Sequence, residues 1–175
     1  MLDVAVSYNR FRFLGHEFLT WLWYTIEKDF NFLKSLDDEL MALEIGNRIV
    51  LENRRDQALE SITIQGDEAG FEEGMLALAK GAMVTELNLL YKAGDKKWQF
   101  TIKGESLSIT NLKTPETSII ETGEDVEGAV LEKIYLYERV VRLLGNMFNA
   151  FIKSRVSNEW NKKVIPNLRN WISSL

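Results

Sequence analysis

The sequence predicts an α+β fold with two small antiparallel β-meanders and a long C-terminal helix, in the order α-βββ-α-βββ-α-α. Two groups of short apolar runs bounded by turn residues lie between positions 40 and 110, and helical apolar spacing continues from about 126 to 160. The 175 residues are 46% apolar and 27% charged, which is typical of one globular domain. We therefore predict a single domain over residues 1–175.

The first half is predicted to contain a buried helix followed by three strands. Residues 13–28 have helical spacing and are apolar nearly all round, which is typical of a helix buried inside a domain or between subunits. Residues 40–45 and 48–52 have strand character, and Gly46-Asn47 between them predicts a hairpin turn. A third strand fits residues 60–64.

The second half is predicted to begin with a short amphipathic helix that ends near Gly81. A meander follows, with strands at residues 84–91, 97–102 and 106–110 and turns at 93–96 and 104–105. Both turns contain the glycine and charged residues that favour them. After the long helix, Pro166 interrupts the chain before a final short helix.

The long helix carries a wide apolar stripe that favours packing across a sheet or between subunits. The stripe residues alternate four and three positions apart: Val130, Ile134, Tyr137, Val141, Leu144, Phe148 and Phe151. Four further apolar residues widen this face: Leu136, Val140, Leu143 and Met147. Arg139 and other polar residues are predicted to line the opposite face. The apolar stripe of the long helix and the aromatic first helix together offer more apolar surface than the sheets readily cover. We therefore predict a homo-oligomer, most simply a two-fold dimer. The predicted interface residues are Phe18, Trp21, Leu22, Trp23, Tyr137, Val141, Leu144 and Phe148.

The composition also predicts a cellular compartment. The chain has no cysteine, which favours a reducing environment. Its first residues lack the basic region and cleavage site of a signal peptide, and no apolar run approaches the roughly 20 residues of a membrane span. We therefore predict a cytoplasmic protein without a membrane partner.

The residues that could support catalysis are few. His16 is the only histidine, and Thr20 stands where a zincin helix would place its second one. A helix-surface or interface role is therefore the interpretation for His16, and we predict no catalytic residue, metal or cofactor. A metal-dependent nuclease is a third alternative, because Glu44 and Glu52 lie on proposed strands just after the acidic run 37–39.

The charge is distributed unevenly along the chain. The net charge is −5, yet residues 139–175 contain seven lysines and arginines against the single acid Glu159. The first 138 residues consequently carry −11, since −11 and +6 give −5. Such asymmetry is typical of a partner-binding basic face, and a solvated helix end is the open alternative. Lysines beside the turns at 93–96 and 104–105 could likewise contact phosphates or simply keep the turns hydrated.

Two segments resemble RdgC-like recombination-associated proteins. Residues 13–23, FLGHEFLTWLW, resemble that family's LG-x-E-F-L-T-W-L helix. Residues 74–87, GMLALAKGAMVTEL, resemble its A-L-x-x-G-K-x-V-T-x-L segment, although Lys80-Gly81 reverses the family's Gly-Lys order. The similarity runs from Phe13 to about Trp160 and matches the C-terminal half of the family.

The resemblance implies a non-catalytic protein that binds duplex DNA with little sequence specificity. Members form a closed ring of two subunits around DNA and restrain recombinase-driven strand exchange, which implies association with the nucleoid. This chain has about half the family's length, so a separate chain that supplies the missing N-terminal half is a further expected partner. Lys80 is carried over from the second segment as a DNA-facing residue.

Other basic residues complete the predicted DNA-binding set. That set is Lys80, Arg54, Arg55, Lys96, Lys97, Lys103, Arg155, Lys162 and Lys163. The alternative function is an oligomeric protein-interaction module that keeps the fold without binding DNA. Salt-dependent binding to duplex DNA distinguishes these two hypotheses.

Overall fold

The computed structural model describes residues 13–55, 58–65, 68–117 and 126–174. The helices are α1 (Phe13–Lys28), α2 (Phe30–Lys34), α3 (Glu68–Ala79), α4 (Val126–Arg155) and α5 (Ile165–Ile172), with a π-helix (Trp160–Val164) before α5. The strands are β1 (Leu40–Arg55), β2 (Ala58–Ile64), β3 (Met83–Ala93), β4 (Lys96–Lys103) and β5 (Ser108–Lys113). The predicted α+β class and long C-terminal helix are confirmed. None of the helices in these ranges has the length and apolar character needed to cross a bilayer.

All described strands belong to one antiparallel sheet of order β2-β1-β3-β4-β5. The predicted second meander is confirmed, because β3, β4 and β5 pair in sequence order. Gly94 has a φ of +60° in the turn between β3 and β4, a conformation that favours glycine. Pairing of β1 with both β2 and β3 joins the two halves of the chain into a single sheet.

The predicted hairpin at Gly46-Asn47 is wrong, because β1 is one continuous strand of 16 residues. The pairing of β1 with β3 shifts register between Ile45 and Ile49, so this segment forms a β-bulge instead of a turn. A Cβ at Gly46 would lie 2.0 Å from Asn88 Oδ1, and the Asn47 N–H donates to that oxygen over 3.3 Å. The glycine is therefore needed here for close approach of the Asn88 side chain.

Helix α1 lies inside the core of the single chain. Its side chains Phe18, Trp21, Leu22 and Trp23 are at most 4% exposed, and α1 packs along β3. The chain itself accounts for their burial, so they do not form a free surface for a second subunit. The interface prediction consequently depends on the long helix alone.

Helix α4 buries one side of the wide predicted face and leaves the other side exposed. Its buried residues are Leu136, Arg139, Val140, Leu143, Met147 and Phe151. Four residues of the predicted stripe are exposed, namely Val130, Ile134, Tyr137 and Val141, while Leu144 and Phe148 are half-buried. The placement of Arg139 on a polar outer face is wrong. Leu136, Val140, Leu143 and Met147 repeat the same four-three-four spacing, so spacing could not distinguish the two stripes.

The final helix is anchored to α1 by two tryptophans. Trp171 packs edge-on against Trp23 with ring centroids 5.4 Å apart. Trp171 Nε1 donates to Glu27 Oε2 over 2.9 Å, and Trp23 Nε1 donates to the other oxygen of the same carboxylate. The predicted final helix is confirmed, and Pro166 lies in its first turn, where a missing N–H costs no helical hydrogen bond.

Candidate nucleic-acid interface

The described helices pack on one face of the sheet and leave the other face open. Tyr91 of β3 and Trp98 of β4 are opposite each other on the covered face, with stacked rings 4.8 Å apart. Helix α1 lies against β3, and Trp98 Nε1 donates to the Leu136 carbonyl of α4 over 3.0 Å. Helix α3 contacts β1 and β2 through the same core. Of the described helices, only the start of α1 borders the opposite face, where Phe13 and His16 line a depression with Lys103.

The open face of β3, β4 and β5 carries four lysines. Lys92 is directly opposite Lys97, and Lys113 is opposite Gln99, which faces the same way as Lys97. Lys103 completes the set at the far end of β4. Lys97, Lys103 and Lys113 are exposed and Lys92 is half-buried. The six residue steps from Lys97 to Lys103 span about 20 Å, comparable with roughly six nucleotides of one DNA strand.

These lysines are only partly neutralised by neighbouring carboxylates. Glu86 forms ion pairs with Lys103 Nζ at 3.8 Å and with Arg48 Nη2 at 3.5 Å. In the described part of the chain, no ion pair joins a carboxylate to Lys92, Lys97 or Lys113. Two like charges directly opposite on adjacent strands destabilise a sheet. Departures of this kind from the most stable arrangement are typical of functional surfaces.

The centre of the open face combines a polar network with the exposed side chain of Leu90, which lies opposite Gln99. Asn88 is 5% exposed, and its Nδ2 donates to the Phe100 carbonyl over 3.1 Å and to Thr101 Oγ1 over 3.0 Å. Gln99 Nε2 donates to Asn88 Oδ1 over 3.1 Å. Buried amides with every partner in place hold a surface rigid.

The predicted DNA-binding residues do not share one surface. Lys97 and Lys103 lie on the open face, and the side chains of Arg54 and Arg55 lie outside the described residues. The other five belong to the side of the helices or to the turn after α3: Lys80, Lys96, Arg155, Lys162 and Lys163.

Two of those five are engaged with acids of the same chain. Lys96 Nζ lies 3.8 Å from Glu132 Oε1 on α4. Arg155 Nε donates to Glu17 Oε2 over 2.8 Å, and its guanidinium lies 5.3 Å from the centre of the Trp160 ring. Phosphate binding by either residue would require these contacts to break. Lys92 and Lys113 were not in the predicted set; the signal that identifies them is their cross-strand position beside Lys97 and Gln99.

A groove of about 840 Å³ lies on the side of the helices, between α1, α2, α4 and the segment before α5. Its charged lining is mixed, with Lys153 and Lys163 against Asp29 and Glu159. The basic C-terminal residues therefore border a surface without a dominant sign of charge. A smaller depression of about 500 Å³ includes Lys103 and Arg48 together with Glu52 and Glu86.

The carboxylates of the nuclease alternative do not converge. Glu44 and Glu52 are eight residues apart on one strand, which corresponds to roughly 25 Å. Asp37 is held by Arg139 Nη2 at 3.2 Å instead of facing either glutamate. Within residues 13–55, 58–65, 68–117 and 126–174, no group of three or more histidines or acids is arranged to hold a metal ion. His16 is 9% exposed and packs beside Gly104, so the helix-surface alternative is wrong, and the interface alternative stays a prediction.

A buried ionic cluster links α4 to the sheet and to the segment before β1. Arg139 is 4% exposed, and its Nη2 donates to the Tyr91 hydroxyl and to both Asp37 oxygens, at 3.3 and 3.2 Å. Its Nη1 lies 3.5 Å from the exposed Glu39 carboxylate. The cluster fixes the α4 orientation, since Leu136 and Tyr91 both connect that helix to the β3–β4 hairpin.

Both partners in this cluster have shifted pKa values. Burial raises the pKa of Tyr91 above 10.0, against the opposing effect of its bond with Arg139. Burial alone would lower the pKa of Arg139, but its contacts with Tyr91, Asp37 and Glu39 raise the pKa above the usual value for arginine. At neutral pH the hydroxyl is therefore protonated and the guanidinium is charged.

We expect the Tyr91 hydroxyl to stabilise the fold only at pH values at which it remains protonated. Because the pKa of Tyr91 is raised in the folded state, its contribution to the free energy of unfolding is fully present below the unfolded-state pKa of 10.0. This contribution is lost as the pH rises above 10.0. Urea unfolding from pH 7 to 11 should show parent and Tyr91→Phe separated by a constant free energy up to about pH 10. Above that, the gap should narrow by up to about 1.4 kcal/mol per pH unit. A difference in free energy of unfolding that stays constant to pH 11 would contradict the raised pKa of Tyr91.

In comparisons with known proteins, no family model matches the chain, and no curated protein is significantly similar to it in sequence. The resemblance to RdgC-like proteins therefore stays a prediction supported by the two segments named above.

Proposed function

We propose that this protein is a non-catalytic, RdgC-like binder of duplex DNA that acts as an oligomer and modulates recombination. It contacts phosphates through the open face of β3, β4 and β5, with little dependence on base sequence. The observation that carries the proposal is the cross-strand pair Lys92–Lys97 on this face, which has no carboxylate partner in the described ranges. The cytoplasm, in association with the nucleoid, is the compartment in which it works.

The chemistry of this face supports contact with phosphates more than reading of bases. Lysine ammonium groups bind phosphate oxygens as point charges and carry no sequence information. The surface between the lysines consists of a hydrogen-bonded sheet, which presents no helix for insertion into a major groove. Binding by this route follows charge density along the DNA backbone, so we expect it to weaken steeply with salt.

The decisive measurement is titration of duplex DNA with the purified chain over a range of salt concentrations. Each lost phosphate contact lowers the slope of log K against log salt by about 0.9. Lys92→Gln/Lys97→Gln should weaken binding to all duplexes alike and lower the slope by about 1.8. The matched control is Lys162→Gln/Lys163→Gln, which removes the same charge from the π-helix and should leave the slope unchanged.

Each outcome of that comparison has a definite meaning. If only the control pair lowers the slope, DNA binds on the side of the helices and the open face is the wrong surface. If the parent chain does not bind any duplex near 50 mM salt, where electrostatic binding is strong, the DNA-binding function is wrong.

A specific observation favours the second candidate function, an oligomeric interaction module without DNA binding. Val130, Ile134, Tyr137 and Val141 form an exposed apolar stripe on α4. A stripe of this kind suits a protein partner and is compatible with either function. Failure of DNA binding with a retained oligomer would therefore support the module.

A further inference from the structure

The exposed stripe of α4 has the spacing of a coiled-coil seam. Val130, Ile134, Tyr137 and Val141 are 52%, 48%, 43% and 62% exposed, and they follow one another at intervals of four, three and four. In a heptad these are d, a, d and a positions. The helix reaches its own core through a separate row that includes Leu136, Val140 and Leu143.

The residues that flank the seam are complementary to a parallel second copy. Val126 and Lys133 occupy g positions, and Leu131 and Glu138 occupy e positions. In a parallel two-stranded coil, each g residue contacts the e residue five positions later on the other helix. Val126 would then meet the partner's Leu131, apolar against apolar. Lys133 would meet the partner's Glu138, charge against opposite charge.

The same residues do not suit an antiparallel pair. In that arrangement e positions face e positions, so Glu138 would lie beside the apolar Leu131 of the partner subunit. In the described part of the chain, neither Lys133 nor Glu138 forms an ion pair of its own. Val126 and Leu131 are 46% and 58% exposed, so both are free to be covered.

We infer that two copies of this chain associate through the first half of α4 as a parallel, in-register pair. The inference rests on the oligomeric part of the proposed function and supplies its interface. Each dimer gains four seam layers, from Val130 to Val141, and two Lys133–Glu138 ion pairs related by the two-fold axis.

The length of the seam sets the strength of the pairing. Glu127 occupies the a position before Val130, so the apolar seam begins at Val130. Beyond Val141 the stripe turns inward, because Leu144 and Phe148 are half-buried and Phe151 is fully buried in its own chain. About two heptads are available, fewer than the three or four of an independent coiled coil. We therefore expect a dissociation constant of roughly 1–100 μM for the dimer.

Single cysteines provide the test, because the chain has none of its own. Val130→Cys should form a disulfide-linked dimer under mild oxidation, since parallel helices bring the two Cα atoms within the roughly 4.4–6.8 Å that a disulfide needs. An antiparallel pair that matches Val130 with the partner's Val141 would separate the two cysteines by about 16 Å along the helix. Linkage only in a mixture of Val130→Cys and Val141→Cys would overturn the parallel arrangement.

Sedimentation without DNA measures the same association without a cross-link. Lys133→Glu and Glu138→Lys should each weaken the dimer by roughly tenfold, and the double exchange should restore it to within about threefold. Val141→Asp should abolish dimerisation, whereas Val156→Asp, at a 79% exposed site away from the stripe, should not change it. A parent chain that is monomeric at about 100 μM would overturn the inference. Because DNA is absent, that result would leave phosphate binding by the open face untouched.

Discussion

Arg139→Met is expected to lower the free energy of unfolding by about 3–5 kcal/mol, because it leaves a buried carboxylate without its cation. Asp37 has only 8% of its side chain exposed and lies 3.2 Å from Arg139. Methionine fills similar volume on α4, so loss of packing contributes little. Urea unfolding at pH 7 measures the change, and near-ultraviolet circular dichroism tests whether the variant still folds.

Three further variants separate charge from packing in this cluster. Asp37→Leu combined with Arg139→Met removes both charges and should recover most of the lost stability, since an apolar replacement for a buried ion pair is often neutral. Glu39→Gln should change stability by less than about 0.5 kcal/mol, because Glu39 is 62% exposed and screened by water. Arg142 also lies on α4 and is exposed. Arg142→Met is therefore the matched control and should also leave the free energy of unfolding nearly unchanged. An Arg139→Met chain as stable as the control would refute the buried-pair account.

Local patterns were sufficient to predict the β3–β5 meander and the long helix, but not the continuity of β1 or the rotation of α4. Alternation and turn residues identified β3, β4 and β5, because each strand depends on its own neighbours in sequence. Two apolar rows with equal spacing on α4 left its buried face undetermined. The contact that decides between them, Arg139 with Tyr91 and Asp37, joins residues 48 and 102 positions apart.

The site could be predicted only in part, because some of its residues come together only through contacts between positions distant in the sequence. Lys97 and Lys103 stand out because they border turns, and they do lie on the open face. Lys92 also borders the β3–β4 turn, but only cross-strand register places it opposite Lys97. Lys113 lies in a strand and joins the surface through its pairing with Gln99. The partner of Lys96 is on a helix 36 positions later, and no local pattern connects it with Glu132.

Gly15→Ala is expected to destabilise the protein by about 3 kcal/mol or more, because helix α1 touches the backbone of the β4–β5 turn at this residue. A Cβ at Gly15 would lie 1.7 Å from the Gly104 carbonyl oxygen, and backbone atoms on both sides leave no flexible side chain to move aside. Gly104 is also constrained, though less tightly, since its own Cβ would lie 2.8 Å from the His16 ring. The glycine in the FLGHEFLTWLW segment therefore has a packing role, whatever the family of the chain.

Gly145→Ala on α4 is the matched control for that substitution. No atom lies within 4 Å of a Cβ at Gly145, so alanine there should stabilise the helix by about 0.5–1 kcal/mol. Urea unfolding of the two variants should consequently shift in opposite directions from the parent. Displacement of α1 by Gly15→Ala also moves the turn that follows Lys103, so DNA affinity of any folded Gly15→Ala chain should fall while that of Gly145→Ala is retained. Equal stability of the two variants would show that α1 does not approach the β4–β5 turn as described.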